Sequence, residues 1–592
     1  MHLPILKREN RYKRSVVNFG GLNLTQSFRD GELRECTGVS NGEFPFITQR
    51  KKRETEFECL SPSCAIFGEN EFIAADDGLY YNRKKVGDLY PGKKYLAALG
   101  ECVAVFPDKM YYNIKTEKFA SLCNERQTEG ATVTFTTDSI SVASDYFVQE
   151  SFFDSTKFQP EALIVTYEKA NVSKGKVQLS GFALKKPVEI SAGTVVYEKC
   201  KPNQYRMVQN VSYSEEENCY EVMNDLITVK NVTENFFDDF KEGDTLEVEG
   251  CTSVQDNNKT FIVLAKESGK LTVPEGTFIP GTETENITIR RKIPDFTSVC
   301  VYENRLWGFV ENTIYASALG DMTSFFTYQG ISTDSYSVQS NSAGDFTACV
   351  PYGNSCFFFK ETSCYKLYGN RPANFKLTEC FGPGILKGDS ESIVQVGGRL
   401  LYKGNGGIYS FYGSTAVRIS DKLGIMKMEN ATGGTDGKLY YLSVNTENGR
   451  EEFVWDTEND LWCKSGVTDI IGYATYGDDV YCLKPGGIEK ISDKTDENAQ
   501  WSITLCPFDE KYYKTKNYSR LHIKAQLFEG AYIGAAVKYD SGNWENIGIF
   551  YGDSKKYLNI PFTVKSCHEL NIRIWGKGRS ILESLVREFS IN

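Results

Sequence analysis

Gly38 to Gly42 reads G-V-S-N-G and satisfies the G-x-S-x-G pattern of a nucleophilic serine. That chemistry requires a strand before Ser40, a helix after it and a histidine that accepts the serine proton. The chain has three histidines, His2, His522 and His568, and no helical pattern follows Ser40. We therefore expect no serine hydrolase, and the scarcity of histidine also argues against histidine-dependent catalysis or a histidine metal site.

Two further turns match ligand-binding motifs only in part. Asp540 to Trp544 reads D-S-G-N-W and is similar to the Asp-box turn of sialidase propellers, but it occurs once and lacks the preceding serine. Gly382 to Gly388 is a glycine-rich loop, which by itself is weak evidence for phosphate binding. The first is predicted to be a hairpin turn and the second a loop.

The 17 cysteines lie singly along the chain, many of them inside apolar strand patterns such as those around Cys102 and Cys356. Free cysteine behaves in this way as a small buried residue in a reducing compartment. Cys59 and Cys64 are the closest pair, and no partner ligands accompany them. Neither a metal site, nor a cofactor, nor a disulfide framework is predicted.

Acidic residues dominate the charge of the chain. The 78 Asp and Glu residues leave a glycosidase pair open, but no sequence feature selects two of them, and we predict that the protein is not an enzyme. The net charge of -11 argues against a general nucleic-acid binder. It is compatible with DNA passing through a pore, because an acidic wall repels phosphates. Without a run of about 20 apolar residues, no spanning helix is expected, and the early charges disfavour an export signal.

Three successive hairpins, 303–321, 353–370 and 397–414, supply the main structural pattern. Each has an apolar and aromatic strand, a tight polar or glycine-rich reversal and a second strand with a central tyrosine. Two β-favouring runs joined by a few turn residues predict a hairpin. A return about every 45–50 residues is the spacing of propeller blades. The expected blade aromatics are Tyr315, Tyr365, Tyr409, Trp307, Trp455 and Trp462.

Similar units precede and follow this stretch, at 70–88, 100–119, 436–464 and 477–492. We therefore predict an all-β fold, a β-propeller of about six to eight blades with an inserted small β-barrel region and a C-terminal β-sandwich. A plain meander or sandwich without radial closure is the alternative. The predicted divisions are an extended N-terminal arm at 1–55, propeller at 56–151, inserted β domains at 152–292, propeller at 293–500, and sandwich at 501–592.

The N-terminal region contains N-F-G-G-L-N, D-G-E-L and P-F-I-T-Q-R, and residues 304–326 contain N-R-L-W-G-F and I-Y-A-S-A-L-G-D-M-T-S-F-F. These patterns, continued in C-F-F-F-K-E-T-S-C-Y-K-L-Y-G and G-G-I-Y-S-F-Y-G, resemble the tail-nozzle and head-completion β-propeller proteins of tailed phages. The resemblance covers about half of the chain and includes no invariant catalytic residue.

The resemblance implies a structural protein of the phage virion tail, assembled in the host cytoplasm. It implies a ring of identical copies, hexameric or dodecameric, that contacts the portal, an adaptor or other tail proteins and forms or gates the exit channel for DNA, which passes without sequence-specific binding. A tail-tip protein that binds a receptor or glycan on the host surface is the alternative, and a propeller hydrolase acting on glycan is a third.

A basic run, Arg50, Lys51, Lys52 and Arg53, follows the N-terminal patterns. It has two interpretations. It is either a solvated strand edge or a docking segment for an acidic surface of a neighbouring ring.

Overall fold

The computed structural model describes residues 11–591, apart from 41, 77, 129–130, 143–144, 268 and several short segments between 151 and 235. From 145 to 231 it describes strand backbones only. The predicted all-β fold is confirmed. The helices in this part of the chain are three-residue 3-10 turns, Gln255–Asn257, Pro372–Asn374, Ser390–Ser392 and Asp421–Leu423. None of the helices described is long and apolar enough to span a membrane.

The chain divides into two compact units. The first consists of Met1–Phe119, Asp295–Gly320 and Ser337–Asn592, and the second consists of Ala120–Pro294 and Asp321–Tyr336. The first unit begins with five strands, β1 (Arg11–Val16), β2 (Leu33–Thr37), β3 (Val39–Ser40), β4 (Thr48–Gln49) and β5 (Lys51–Phe57).

Two four-stranded antiparallel sheets follow. The first contains β6 (Pro62–Ile66), β7 (Phe72–Ala75), β8 (Gly78–Tyr81) and β9 (Lys84–Asp88). The second contains β10 (Tyr95–Leu99), β11 (Cys102–Phe106), β12 (Met110–Asn113) and β13 (Lys118–Ser121).

The second unit contains small sheets with a core of their own. Its strands β14–β16 are Arg126–Gln127, Val133–Phe135 and Ser139–Val142, and its strands β27–β32 are Thr245–Glu249, Thr260–Ile262, Ala265–Glu267, Lys270–Thr272, Gly281–Glu283 and Thr288–Arg291. They form a four-stranded sheet in the order β14-β32-β27-β28 and a five-stranded sheet in the order β29-β30-β16-β15-β31. Residues 240–273 therefore contribute strands to both sheets.

Between β16 and β27 lies a ten-stranded sheet whose strand backbones are described. Its strands β17–β26 are Asp145–Glu150, Ser155–Phe158, Leu163–Thr166, Lys169–Ser173, Lys176–Ser180, Ala183–Lys185, Val196–Lys201, Gln204–Ser214, Cys219–Met223 and Leu226–Asn231.

Four more four-stranded sheets follow in the first unit. They contain β33–β36 (Val299–Tyr302, Arg305–Val310, Thr313–Ala316, Tyr336–Gln339), β37–β40 (Phe346–Tyr352, Ser355–Lys360, Cys364–Tyr368, Lys376–Cys380), β41–β44 (Val394–Val396, Arg399–Gly404, Gly407–Phe411, Ala416–Arg418) and β45–β48 (Glu429–Thr435, Leu439–Thr446, Gly449–Asp456, Leu461–Val467).

The last sheet of this series is completed by a strand from the other end of the chain. Its strands β49 (Gly472–Tyr476), β50 (Asp479–Lys484) and β51 (Gly487–Thr495) are joined by β5, which pairs antiparallel with β51. The described residues therefore form seven sheets of this kind, and the first strands of successive sheets pack on one another. Between the fourth and fifth sheets the contact runs through the turn Ser390–Ser392. Because β49 also packs on β6, the series closes into a propeller.

The burial of the second strands follows from this packing. In β38, S-C-F-F-F-K is buried at every position, because the sheet lies between two neighbouring sheets and both of its faces are covered. The hairpin turns are tight, as predicted. Glu303 and Asn304 both have positive φ values, 50° and 53°, as a type I′ turn between β33 and β34 requires.

The C-terminal strands form a β-sandwich, as predicted, with two strands from the N-terminus. They are β52 (Gln500–Leu505), β53 (Lys516–Leu527), β54 (Tyr532–Tyr539), β55 (Glu545–Tyr551), β56 (Lys555–Pro561), β57 (Ser566–Cys567), β58 (Leu570–Lys577) and β59 (Ser580–Ile591). One sheet has the order β1-β59-β53-β56, with β57 also paired to β53, and the other has the order β2-β52-β58-β54-β55. Strand β53 alternates buried and half-buried residues, because only one of its faces meets the core.

Two expected boundaries differ from the structure. Within the described part of 1–55, the chain is not a free arm, because β1 and β2 complete the sandwich and β5 completes a propeller sheet. The first part of the propeller ends near Phe119 rather than at 151, since β15 and β16 pair with β30 and β31 of the second unit. Alternation predicts a strand but does not specify the sheet that the strand joins.

Candidate functional site

The six predicted aromatic residues lie on propeller strands. Trp307 lies on β34, Tyr315 on β35, Tyr365 on β39, Tyr409 on β43, Trp455 on β47 and Trp462 on β48. The tryptophans and Tyr365 are buried, whereas Tyr315 and Tyr409 are half-buried. These side chains therefore contribute mainly to packing.

Trp307 joins the third sheet of the propeller to the fourth. Its ring centroid lies 5.2 Å from that of Phe375, edge to face, and 6.3 Å from that of Phe358. Its indole N–H donates a hydrogen bond of 2.9 Å to the Tyr302 carbonyl, so its one polar group is satisfied. Such aromatic pairs add stability beyond that from the burial of the ring itself.

Trp455 and Trp462 are cross-strand neighbours on β47 and β48. Their rings stack with centroids 6.1 Å apart. The Trp455 N–H donates to Asp460 Oδ1 at 3.1 Å, and the Trp462 N–H donates to the Ile419 carbonyl at 2.8 Å. Both tryptophans are thus explained by packing within the protein, without a ligand.

The basic run lies at and just before the closing strand β5, and all four side chains have acidic partners. Arg50 pairs with Asp496 at 3.5 Å, Lys51 with Asp493 at 3.6 Å and Lys52 with Glu54 at 3.1 Å. Arg53 lies 2.6 Å from Glu452, which is almost fully buried. Arg53 therefore serves the closure of the propeller, whereas docking through the other three cations stays a prediction.

The three short motifs form turns. Ser40 lies on the two-residue strand β3, and its hydroxyl accepts a hydrogen bond from the Gly42 N–H. Asp540, with a φ of 47°, begins the turn between β54 and β55. A Cβ on Gly384 would lie 2.1 Å from the Lys360 carbonyl oxygen, so a close backbone approach explains this glycine in the 382–388 loop. His2 and Asn41 lie outside the described residues.

The structure contains a polar site that the sequence did not reveal, at the mouth of the propeller channel. Two adjoining cavities of about 420 and 300 Å³ share Ser63 and Glu391. Both are lined from several sheets at the N-terminal ends of the innermost strands. The outer cavity is bordered by Asp76, Lys93 and Arg450, and the inner one by Tyr95 and Tyr473 among others.

An ion pair spans the mouth between Lys93 Nζ and Glu391 Oε1, 3.0 Å apart. The Lys93 ammonium also lies 5.4 Å from the centroid of the Tyr95 ring. Burial lowers the pKa of Lys93, but the attraction of Glu391 and Tyr95 outweighs burial, so the pKa lies above its ordinary value. Burial raises the pKa of the Tyr95 hydroxyl. At neutral pH the Lys93 ammonium is therefore charged and the Tyr95 phenol is neutral.

Arg450 lies in the same mouth among neutral acceptors. Its guanidinium donates to the Asn430 carbonyl and to Asn445 Oδ1, both at 3.1 Å, and to Thr432 Oγ1 at 3.3 Å. It also donates to the Ile470 carbonyl. Burial lowers the pKa of Arg450. The side chain ties the sixth sheet to the start of the seventh.

The two carboxylates that border the mouth, Glu391 and Asp76, have hydrogen-bond or ion-pair partners within the chain. Glu391 is paired with Lys93, and Asp76 accepts hydrogen bonds from the backbone N–H groups of Leu60 and Ser61. A general acid in such an enzyme has a raised pKa, which burial in an apolar site produces. Where the described carboxyl groups have a shifted pKa, the shift is downward, as in Glu54, Glu283, Asp321 and Glu588.

No group of three or more His, Cys, Asp or Glu side chains among the described residues could hold a metal ion. The cysteines of this part of the chain are free thiols, and most are buried. Cys300 Sγ and Cys356 Sγ lie 3.5 Å apart between the third and fourth sheets.

Sequence reasoning missed the channel mouth because its residues are far apart in the chain. Lys93 precedes a strand of the second sheet, Glu391 precedes a strand of the fifth, and Arg450 begins a strand of the sixth. None of the three lies in a recognisable motif. The one available signal is positional. Lys93 and Glu391 precede the first strands of their sheets, and Arg450 begins a third strand, so all three lie at the same end of their sheets.

No family model matches the sequence, and no curated protein matches it. Among solved structures, an exo-β-1,3-galactanase from Phanerochaete chrysosporium is similar, with 10% identity over 48% of this chain and 92% of that chain and a TM-score of 0.20. PorZ, a surface component of the type-IX secretion system of Porphyromonas gingivalis, has 8% identity over 85% of this chain and 71% of that chain, with a TM-score of 0.23. Because identity and TM-score are both low, neither similarity bears on the activity of this chain.

Proposed function

We propose that this chain is a structural protein of the tail of a tailed phage, a nozzle-type component that works through its shape. The observation that supports this proposal most is the closure of seven sheets by β5, a strand from the opposite end of the chain. The resemblance of the N-terminal and 304–326 patterns to the nozzle proteins supplies the biological setting. In this setting, copies of the chain form a ring and contact the portal, an adaptor or other tail proteins.

The side chains support a scaffold rather than a catalyst. The joints between propeller sheets consist of buried aromatic residues such as Trp307, Tyr402 and Tyr440. At the channel mouth, Lys93 and Glu391 are paired with each other. Because apolar surface is buried at many similar contacts between sheets, the propeller is rigid without depending on one critical residue.

Any DNA that this protein guides passes between copies of the chain rather than through one propeller. The channel cavities of about 420 and 300 Å³ have the size of small-ligand pockets. A lumen enclosed by a ring of copies is not restricted to the width of one propeller channel. The net charge of -11 suits that lumen, because an acidic wall repels the phosphates of a passing polyanion.

The test is to locate the chain in assembled particles. Antibodies raised against the full chain are bound to intact phage particles and viewed by electron microscopy, and the mass of the purified chain is measured by light scattering with and without its neighbouring tail proteins. We expect the antibody label at the tail. We expect the mass of a ring of copies, either for the chain alone or after its neighbouring tail proteins are added. Absence of label from intact and from disrupted particles would contradict a virion role. A monomer that cleaves glycan, and loses cleavage when Glu391 is replaced by Gln, would favour the hydrolase.

A further inference from the structure

The outer face of the sandwich sheet β2-β52-β58-β54-β55 carries aromatic side chains toward solvent. On β54, Ile533, Ala535 and Val537 are buried in the core, so the alternating residues Tyr532 and Gly534 belong to the outer face. The register places Tyr551 opposite Tyr532, and both Trp575 and Ile549 opposite Gly534. Residues directly opposite one another share a face, so these side chains form one group. We call Tyr532, Ile549, Tyr551 and Trp575 the outer aromatic face.

Trp575 packs against Gly534 on the neighbouring strand. A Cβ on Gly534 would lie 2.4, 2.5 and 2.8 Å from three atoms of the indole, Cε2, Cζ2 and Nε1. The indole ring therefore occupies the space that a side chain at position 534 would fill. The side chain is half-buried, so part of it remains open to solvent. Only glycine leaves room for this placement.

The other aromatic groups extend this surface. Tyr532 and Tyr551 have ring centroids 5.6 Å apart, and Tyr551 is 71% exposed. Trp544, just before β55, lies 4.4 Å from the Arg573 guanidinium carbon and 5.3 Å from Lys538 Nζ. Arg573 and Lys538 occupy outer positions of β58 and β54, so Trp544 continues the row of rings on this side of the sandwich.

Cations border the rings although the chain as a whole is acidic. Arg573 pairs with Glu35 at 3.1 Å, whereas Lys538 and Lys577 have no carboxylate partner among the described residues. Lys577 lies opposite Tyr532, and Lys538 lies opposite Asn571. Asn571 is only 8% exposed, and its Nδ2 has no hydrogen-bond partner in the described part of the chain. A local excess of positive charge and an unused amide donor thus accompany the aromatic surface.

We propose that the outer aromatic face binds an acidic polysaccharide built of pyranose rings. A pyranose has an apolar C–H face, which stacks on an aromatic ring and is removed from water, and a rim of hydroxyl groups, which hydrogen-bond to polar neighbours. Lys538 and Lys577 are placed to attract carboxylate or phosphate groups on the chain. The site stands independently of a role in a virion, and within that role it supplies contact with the host surface.

The experiment uses the full chain. It is applied to a printed array of neutral and acidic pyranose glycans, and the affinity is then measured by electrophoresis through gels that contain alginate or neutral dextran. We expect retention by acidic glycans, reduced at least tenfold by Tyr551→Ala. Tyr557→Ala is the matched control, because Tyr557 is 74% exposed and lies on β56, in the other sheet. We expect it to bind like the parent.

Two further variants test the chemistry. Gly534→Ala adds the Cβ that the indole excludes, so it should displace Trp575 and weaken binding to every glycan that the parent binds. The double variant Lys538→Gln and Lys577→Gln should lose the preference for acidic over neutral chains. Circular dichroism and the unfolding midpoint of each variant establish that the fold is retained.

Three outcomes would overturn the proposal. In the first, no acidic glycan retains the full chain, even at a millimolar concentration of sugar units. Another is an equal loss for Tyr551→Ala and Tyr557→Ala. The third is a parent chain whose self-association, rather than its glycan binding, depends on Tyr551, which would assign the face to a second copy of the chain.

Discussion

Arg53 Nη2 lies 2.6 Å from Glu452 Oε2, so the closing strand β5 of the seventh sheet is joined to β47 of the sixth. The Tyr473 hydroxyl, on the innermost strand of the seventh sheet, donates to the same carboxylate at 2.7 Å. The closure of the propeller therefore depends on backbone pairing along β5 and on a nearly dry charged contact beside it.

Replacing Arg53 with Ala should destabilise the protein by about 3 kcal/mol, because it leaves the buried Glu452 carboxylate without its cation. Lys52→Ala is the control. Lys52 pairs with Glu54 in solvent, and such pairs contribute about 0–1 kcal/mol. Urea unfolding of both variants measures the difference, and equal midpoints would show that the Arg53 pair does not support closure.

Trp307→Ala should cost about 3–5 kcal/mol, since it removes a fully buried ring from the joint between two sheets. Tyr409→Ala should cost less, about 1–2 kcal/mol, because Tyr409 is only half-buried. Both residues were predicted as blade aromatics, and their different burial separates the two expected effects. Chemical denaturation measures the stability of both variants. If Tyr409→Ala were less stable than Trp307→Ala, Trp307 would not be the main contact between the third and fourth sheets.

A segment of residues 501–592 alone should not fold. It lacks β1 and β2, which supply Val16, Leu33 and Cys36 to the sandwich core. Circular dichroism and amide hydrogen exchange of the isolated segment should show no cooperative unfolding, and added peptide 11–49 should increase protection. Cooperative unfolding of the segment by itself would mean that the N-terminal strands are dispensable. Glycan binding is for this reason tested on the full chain.

Glu588 should make the pairing of β1 with β59 sensitive to acid. A hydrogen bond from Lys13, 2.5 Å away, and a further one with His522 hold the pKa of Glu588 below its ordinary value. A carboxyl group with a lowered folded pKa contributes stability above its unfolded pKa of about 4.3 and loses it as the pH falls through the folded pKa. Stability measured from pH 7 to pH 3 should therefore fall less steeply below about pH 4.3 in Glu588→Gln. An unchanged slope would exclude this contact as the cause.

Local chemistry explains which parts of the fold were predictable. Hairpins such as that around Glu303 and Asn304 depend on neighbouring residues, so turn signals and apolar runs predict them. The sequence predicts the fully buried β38 from a continuous aromatic run, and the C-terminal strands from alternating apolar and polar residues. Each of these features follows from residues within about ten positions of one another.

The sequence by itself determined the strands, their turns and the repeat that makes a propeller, because these depend on side-chain period and local backbone preference. Only the tertiary structure decided that β5 closes the seventh sheet, that β1 and β2 complete the sandwich, and that Lys93, Glu391 and Arg450 meet at one mouth. A strand edge can pair with any edge of suitable register, so the burial that the whole chain achieves selects the partner. That selection involves residues hundreds of positions apart, and no local pattern records it.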